Sequence, residues 1–287
     1  MTDAGAAHGA GLPSSPETAV VPDVADLTRV VALDGPAGSG KSTVARRTAQ
    51  ALGWRFVDTG ATYRAVTLQV LRSGVALDDA EAVTRAAEAT HLVLDVDPYG
   101  GRVELDGEDV SAEIRGPEVT AAVSAVSAVP GVRQHLVRLQ RLLMGTEGAV
   151  VEGRDIATVV APQAAVKVYL DAREEVRAQR RAADHAGALA DREPRMATPG
   201  GGGASRSVDA RGTSAGPTRD AGGVGVDLVA VQADLRRRDS LDNKTNKLEV
   251  SEGALHLDTS DLTLEQVVDA VVALVRAAGL SDQGAGR

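Results

Sequence analysis

Cysteine is absent from the 287-residue chain, which excludes disulfides, thiolate nucleophiles and thiolate metal sites. Aromatic residues amount to 2%. Platforms for stacking nucleic-acid bases are therefore scarce, and Val, Leu and Ala must fill the core. No run approaches the ~20 apolar residues that a bilayer-spanning helix needs. Residues 1–28 lack a basic start followed by an apolar stretch, the signature of a secretory leader, so a cytoplasmic location is expected. Positive charge is also in deficit: 31 Lys plus Arg against 40 Asp plus Glu give a net charge of −9. That balance argues against a general nucleic-acid or membrane-surface binder. Small phosphorylated ligands remain open, since they need only a local cluster of cations.

What the chain does have is aliphatic content, with 43% hydrophobic residues overall. Residues 1–28, rich in Ala, Gly, Pro, Ser and Asp, are expected to form a disordered tail. The run Val30–Leu33 then predicts a buried strand ending in Asp34 and a glycine cluster. Residues 42–52 place Val44, Ala45, Thr48, Ala49 and Leu52 on one helical face, with Gly53 set to end the helix. Alternation at Leu92, Leu94 and Val96, a Pro98–Gly101 turn, and Val103 with Leu105 predict a hairpin on a small accessory sheet. A helix over 132–143 should turn Val132, Leu136, Leu139 and Leu143 inward. The runs 149–151 and 166–170 look like core parallel strands, and 254–257 like a last strand. Thr263-Leu264-Glu265-Gln266 has a capping-box pattern, opening a helix with Val267, Val268, Val271, Val272 and Val275 as its buried stripe. Strands alternating with helices predict an α/β parallel sheet.

Residues 185–226 break this pattern. Ten of the 31 glycines fall there, four of them consecutive at Gly200–Gly203. So few aliphatics cannot offset the ordering entropy, and a flexible low-complexity insertion over about 184–226 is expected.

Gly35-Pro36-Ala37-Gly38-Ser39-Gly40-Lys41-Ser42 satisfies G-x-x-x-x-G-K-[ST] at every required position. The glycines let several backbone N–H groups converge on phosphate oxygens, and the following helix adds its positive end. Lys41 can neutralise charge between β- and γ-phosphates, and Ser42, followed by Thr43, can ligate Mg²⁺. The pattern implies a nucleoside triphosphate bound as phosphoryl donor. It does not separate switches, motors and kinases, which share it.

Further along, Val150-Val151-Glu152-Gly153-Arg154-Asp155 delivers a cation and a carboxylate to a strand's C-terminal edge, where open α/β sheets bind ligands. Arg177, Arg180 and Arg181 cluster on one helix, and Arg236–Asp239 with Asp242 form another charged group. Singly, a buried Arg–Asp pair can be structural and an arginine run a solvated face. Together in a P-loop chain they suit phosphoryl transfer between two polyanions, which needs cations from several directions.

Taken in order, L-D-G-P-A-G-S-G-K-S-T at 33–43, D-T-G-A-T-Y-R at 58–64, E-D-V-S-A-E-I-R at 108–115, V-E-G-R-D-I-A-T-V-V-A-P at 151–162 and R-R-D-x-L-D at 237–242 resemble the bacterial cytidylate kinases. The likeness covers roughly 29–183 and 227–276. It implies a P-loop three-layer α/β fold with a parallel sheet, an inserted nucleoside-monophosphate-binding domain carrying a small antiparallel sheet, and a lid. The kinase domain would span 29–183 and 227–287, with the acceptor-binding part at about 60–145. The lid would lie between helices at 173–183 and 228–239.

The implied reaction moves the γ-phosphoryl group of ATP, with Mg²⁺, to CMP or dCMP in pyrimidine nucleotide metabolism, by a monomer that engages neither nucleic acid nor membrane. A phosphate monoester's second pKa is ~6, so the attacking oxygen is already ionised and no general base is needed. By resemblance Lys41, Arg154 and Arg181 are the catalytic cations. Gly35, Pro36, Ala37, Gly38, Ser39, Gly40, Lys41, Ser42, Thr43 and Arg177 would hold ATP, with Ser42 on the metal. Arg64 and Arg154 would clamp the acceptor phosphate near Thr59, while Ser124, Arg133 and Asp155 read the base. A carboxylate can accept from the cytosine N4 amine and repels uracil O4. Arg238 and Asp242 would meet the ribose. One stretch departs from the family: where an arginine is usual beyond the second Asp, the chain reads Asp242-Asn243-Lys244-Thr245-Asn246-Lys247. Lys244 or Lys247 supplies charge there without a planar two-pronged contact.

Two rivals remain open on the residues alone. Asn243-Lys244 and Asn246-Lys247 faintly suggest a guanine-reading GTP switch, though they follow a charged run where that motif follows an apolar strand. A kinase for UMP, AMP or a non-nucleotide acceptor is the other.

Overall fold

The computed structural model describes residues 24–190, 228–246 and 250–280. Its centre is a five-stranded sheet built from β1 (Val30–Asp34), β2 (Arg55–Asp58), β6 (Ala149–Glu152), β7 (Val166–Asp171) and β8 (Leu255–Asp258), in the order β2-β6-β1-β7-β8. Every neighbouring pair in it is parallel. Parallel strands are buried on both faces, and β1 and β6 are buried at every position.

Alternate residues of β1 enter separate cores. Val31 and Leu33 pack with Val44, Ala45 and Ala49 of α1 (Lys41–Leu52) and with Val267, Val271 and Val275 of α8 (Leu264–Ala277). Val30 and Ala32 face Ala61, Ala65 and Leu68 of α2 (Thr59–Arg72) and Met144 at the end of α5 (Pro130–Met144). The result is three layers. Each buried valine or leucine contributes about 1.5–3 kcal/mol, so the small-residue stripes of α1 and α8 suffice to clamp the sheet. Gly53 ends α1 in the left-handed region at φ 65°, and both halves of the Thr263–Gln266 capping box form.

The second unit contains α3 (Ala80–Glu88), α4 (Pro117–Ser127), α5 and a three-stranded antiparallel sheet of β3 (Leu92–Leu94), β4 (Val103–Leu105) and β5 (Glu108–Asp109). The expected hairpin is present, although Val96 lies outside its strands and its carbonyl accepts from Phe56 N–H at 2.9 Å. The hairpin turn is strapped to α1: Arg46 donates to the carbonyls of Pro98 and Gly100, and Gln50 donates to Pro98.

Three sequence expectations need correction. The tail expected to run to residue 28 ends earlier, because Val24–Arg29 forms a 3-10 turn that buries Leu27 in the core; residues 1–23 lie outside the described residues. The helix expected to stop near 183 is α6 (Glu174–Ala190). Its Ala-rich end, Ala183 to Ala190, favours continuation. The rest of the expected 184–226 insertion, from 191 onward, lies outside the described residues up to α7 (Leu228–Asn246). Finally, α5 buries Val132, Leu136, Gln140 and Met144, while Leu139 and Leu143 are only partly buried. A stripe of spacing four faces the core, and Gln140 is admitted because its amide donates to the Thr62 hydroxyl at 2.9 Å.

Candidate active site

The loop between β1 and α1 fits its neighbours closely. Gly35 has φ +147°, and a Cβ there would lie 2.0 Å from the Leu170 carbonyl oxygen of β7. The Lys41 ammonium folds back onto the loop, donating to Pro36 O at 2.6 Å and lying 3.4 Å from Ser39 Oγ. Burial first, and then the Arg154 charge, pull its pKa down to about 7, against the opposing pull of Glu152, Asp34 and Asp239. An anion entering the loop restores the favourable field for the charged form.

At the next residue, Ser42 Oγ donates to Glu152 Oε1 at 2.6 Å. Glu152 is the last residue of β6 and pairs in register with Leu33 of β1, which carries its carboxylate beside the phosphate loop. Burial and the nearby Asp58 push its pKa up, and Lys41, Ser42 and Arg154 oppose them. Asp34, just before the loop, uses both oxygens on the far side. Oδ1 and Oδ2 accept from Ile156 N and Ala157 N at 2.8 Å each, fixing the π-helical turn Ile156–Val160 behind Arg154 and Asp155.

A cleft of about 560 Å³ runs from the loop to the second unit. Residues Ala37 to Thr43 of the loop line it, with Arg180 and Arg181 of α6, Thr259, Leu262, Leu264 and Val267. Thr59, Tyr63 and Arg64 of α2, Ser124 of α4, Arg133 of α5, Arg154, Asp155 and Asp242 line it as well. Thr59 Oγ1 donates to Glu152 O, and Arg64 reaches Thr120 Oγ1 at 3.3 Å. Arg133 is hydrogen-bonded to the Asp155 carboxylate, with both side chains mostly buried. Arg154 donates through Nε to Asp242 at 2.7 Å and through Nη1 to Gly35 O at 3.0 Å.

Most of the residues singled out in sequence thus meet in one cleft. Arg177 is not among the lining residues; it donates to Ala37 O at 3.1 Å and to Asp239 at 2.6 Å. Asp239 in turn accepts from Ala37 N, so the pair clasps the start of the loop. The Arg238 and Lys244 side chains, and all of Lys247, lie outside the described residues. Asn243-Lys244 falls within helix α7, not after a strand as a guanine reader requires.

Three polar groups escaped the sequence reading. Glu152 was detectable as a carboxylate closing an apolar strand. Arg180, seen only as part of a run, donates to Thr259 Oγ1 and O and to Ser39 O, which joins α6 to the loop through the turn after β8. Tyr63 lines the cleft with a buried hydroxyl that has no partner among the described residues. Burial pushes its pKa up to about 12, so it stays a neutral phenol.

The chain is similar to known proteins over most of its length. The family model described as Cytidylate kinase matches residues 31–194 and 207–277. A protein named cytidylate kinase from Mycolicibacterium paratuberculosis is 47% identical over 250 residues, covering 86% of this chain and 95% of that one. One of the same name from Nocardia farcinica is 45% identical over 247 residues, 85% of this chain and 92% of that one. Another, from Caldanaerobacter subterraneus subsp. tengcongensis, is 41% identical over 253 residues, 88% and 96% of the two chains. With its phosphate loop, its parallel five-stranded sheet and these matches along most of its length, the chain belongs to the cytidylate kinase family.

Proposed function

We propose that this protein transfers the γ-phosphoryl group of ATP to the 5′-phosphate of CMP or dCMP, giving CDP or dCDP in pyrimidine nucleotide metabolism. The observation that carries the reading is the Arg133–Asp155 pair, which shares one cleft with Lys41 and Ser42. An oriented carboxylate there is able to accept from an N4 amine in the cleft that the phosphate loop also lines. Arg133 orients the Asp155 carboxylate by a hydrogen bond, and a hydrogen-bond acceptor at that place disfavours uracil O4.

ATP would lie with its phosphates over Gly35–Thr43 and its base toward Leu262, Leu264 and Val267. Lys41 would leave Pro36 O for the β- and γ-phosphates. The hard oxygen donors Ser42 Oγ and, behind it, the Glu152 carboxylate suit Mg²⁺. The ion when bound would neutralise charge between the terminal phosphates. Arg64 and Arg154 would align the acceptor phosphate, with Asp242 and Arg238 toward the ribose. Arg181 and Arg177 would act from the lid between α6 and α7, and residues at about 60–145 would form the acceptor-binding part. The attacking oxygen arrives ionised, so in-line positioning and charge neutralisation carry the step. The reading includes a monomer working in the cytoplasm without nucleic-acid or membrane partners. Among the described residues no helix is long and apolar enough to cross a membrane.

The test is ADP release from ATP and Mg²⁺, with CMP, dCMP, UMP, AMP or no acceptor offered in parallel. Release strongest with CMP or dCMP, and abolished by Lys41→Ala, supports the assignment. Release independent of any nucleotide acceptor rejects it.

A further inference from the structure

Arg115 ends the stretch E-D-V-S-A-E-I-R, to which no chemistry has so far been attached. In the structure it lines the same cleft as Arg64, Arg133, Arg154, Arg180 and Arg181. The other members on the acceptor side already hold protein partners: Arg64 reaches Thr120, Arg133 pairs with Asp155, and Arg154 pairs with Asp242. The Arg115 side chain is exposed and has no hydrogen bond or ion pair among the described residues.

The backbone beneath it is fixed by contrast. Ile114 is fully buried, and its N–H donates to Val110 O at 3.0 Å. Arg115 N donates to Ala112 O, and Gly116 N to Glu113 O at 2.8 Å. Arg72 braces Glu113 from the side at 2.6 Å. Pro117 then opens α4, whose Ser124 and Ser127 face the cleft. A long cation on a rigid base, unpaired among the described residues of a chain with nine more negative than positive charges, is placed to meet an anionic ligand.

We propose that Arg115 is a further acceptor-binding residue, meeting the 5′-phosphate of the nucleoside monophosphate in the cleft it shares with Arg64 and Arg154. This rests on the acceptor assigned above. The packing of Arg115 favours the acceptor over the donor phosphates: its turn, Glu113–Arg115, packs against α2 and α4, which bring Arg64, Val123, Ser124 and Ser127 to the cleft, whereas Lys41 belongs to the loop and Arg180 and Arg181 to α6. Arginine suits the task because its planar fork meets two phosphate oxygens at once.

The experiment is calorimetric titration of the native protein, Arg115→Ala and Arg115→Lys with CMP and, separately, with cytidine, which carries the same base and ribose without the phosphate. Loss of a charge-assisted hydrogen bond should weaken CMP binding by about 10–100-fold in Arg115→Ala. Cytidine affinity and melting temperature should stay at native values, and Arg115→Lys should recover part of the loss. In turnover assays the KM for CMP should rise and that for ATP stay put. CMP affinity unchanged in Arg115→Ala, equal losses for CMP and cytidine, or a rise confined to the ATP KM would each overturn the inference. A native protein that binds no CMP overturns the acceptor assignment itself, and this inference with it.

Discussion

Ser42 Oγ donates to the buried Glu152 carboxylate at 2.6 Å, across 110 residues of sequence. The hydroxyl that a P-loop offers to a metal is therefore aimed by β6, the strand beside β1 in the sheet. Glu152→Gln keeps an oxygen to accept from Ser42 and removes the charge behind it. Loss of such a supporting carboxylate is expected to lower kcat about 10–100-fold, with a higher Mg²⁺ concentration for half-maximal rate and an unchanged KM for CMP. Steady-state kinetics at varied Mg²⁺ checks it, and a change only in the CMP KM speaks against this role.

Asp155 is expected to decide between cytosine and uracil. In Asp155→Asn the amide can present either a donor or an acceptor, so the preference for CMP over UMP should shrink by about 1–3 kcal/mol. The ratio of kcat/KM for the two acceptors reads this directly. An unaltered ratio removes Asp155 from base selection.

Arg177 and Arg181 lie one helical turn apart on α6 and are expected to behave differently. Arg177 is partly buried against Ala37 O and Asp239, so Arg177→Ala should lower the melting temperature and raise the KM for ATP together. Arg181 lines the cleft and holds no side-chain partner among the described residues, so Arg181→Ala should leave melting unchanged. Its kcat should fall by about 10²-fold, the scale of losing one donor to transition-state charge. Equal melting temperatures for the two variants would contradict the division.

Gln140 is fully buried, with its amide nitrogen on Thr62 and its Oε1 without a partner among the described residues. Replacement by Leu loses a hydrogen bond worth about 0.5–1.5 kcal/mol and removes an unsatisfied acceptor costing about 1–3 kcal/mol. Thr62 keeps its bond to Thr59 O. Gln140→Leu should therefore melt at or slightly above the native temperature. A fall of many degrees in a thermal scan would show that Oε1 is satisfied in solution.

The sequence displayed the parts whose signals are local. The phosphate loop, the Gly53 stop, the Thr263 cap and the valine stripe of α8 each depend on residues within one turn of each other, and each appears where its pattern put it. Glu152, Arg180 and Gln140 depend on partners brought close by the fold: Ser42, Thr259 and Thr62. Nothing beside them in the chain names those partners. Polarity misled at α5, where an inward glutamine interrupts the apolar series and a leucine stripe one position away looks better. Composition misled at α6, where Gly187 and the glycine run beyond concealed an alanine-rich helix end.

The strand order β2-β6-β1-β7-β8 has a consequence for how the protein is made. The strand that carries the nucleotide loop emerges from the ribosome first, yet its two lateral neighbours are Ala149–Glu152 and Val166–Asp171. Until translation passes Glu152, Val30–Asp34 has both hydrogen-bonding edges open and no sheet to enter, and the edge that β7 covers stays open until Asp171. A nascent chain stopped before Ala149 carries the complete glycine motif and no place to seat it. Such late, long-range closure slows folding and leaves an apolar strand exposed meanwhile, so ATP should protect only nascent chains that extend past β7 from proteolysis.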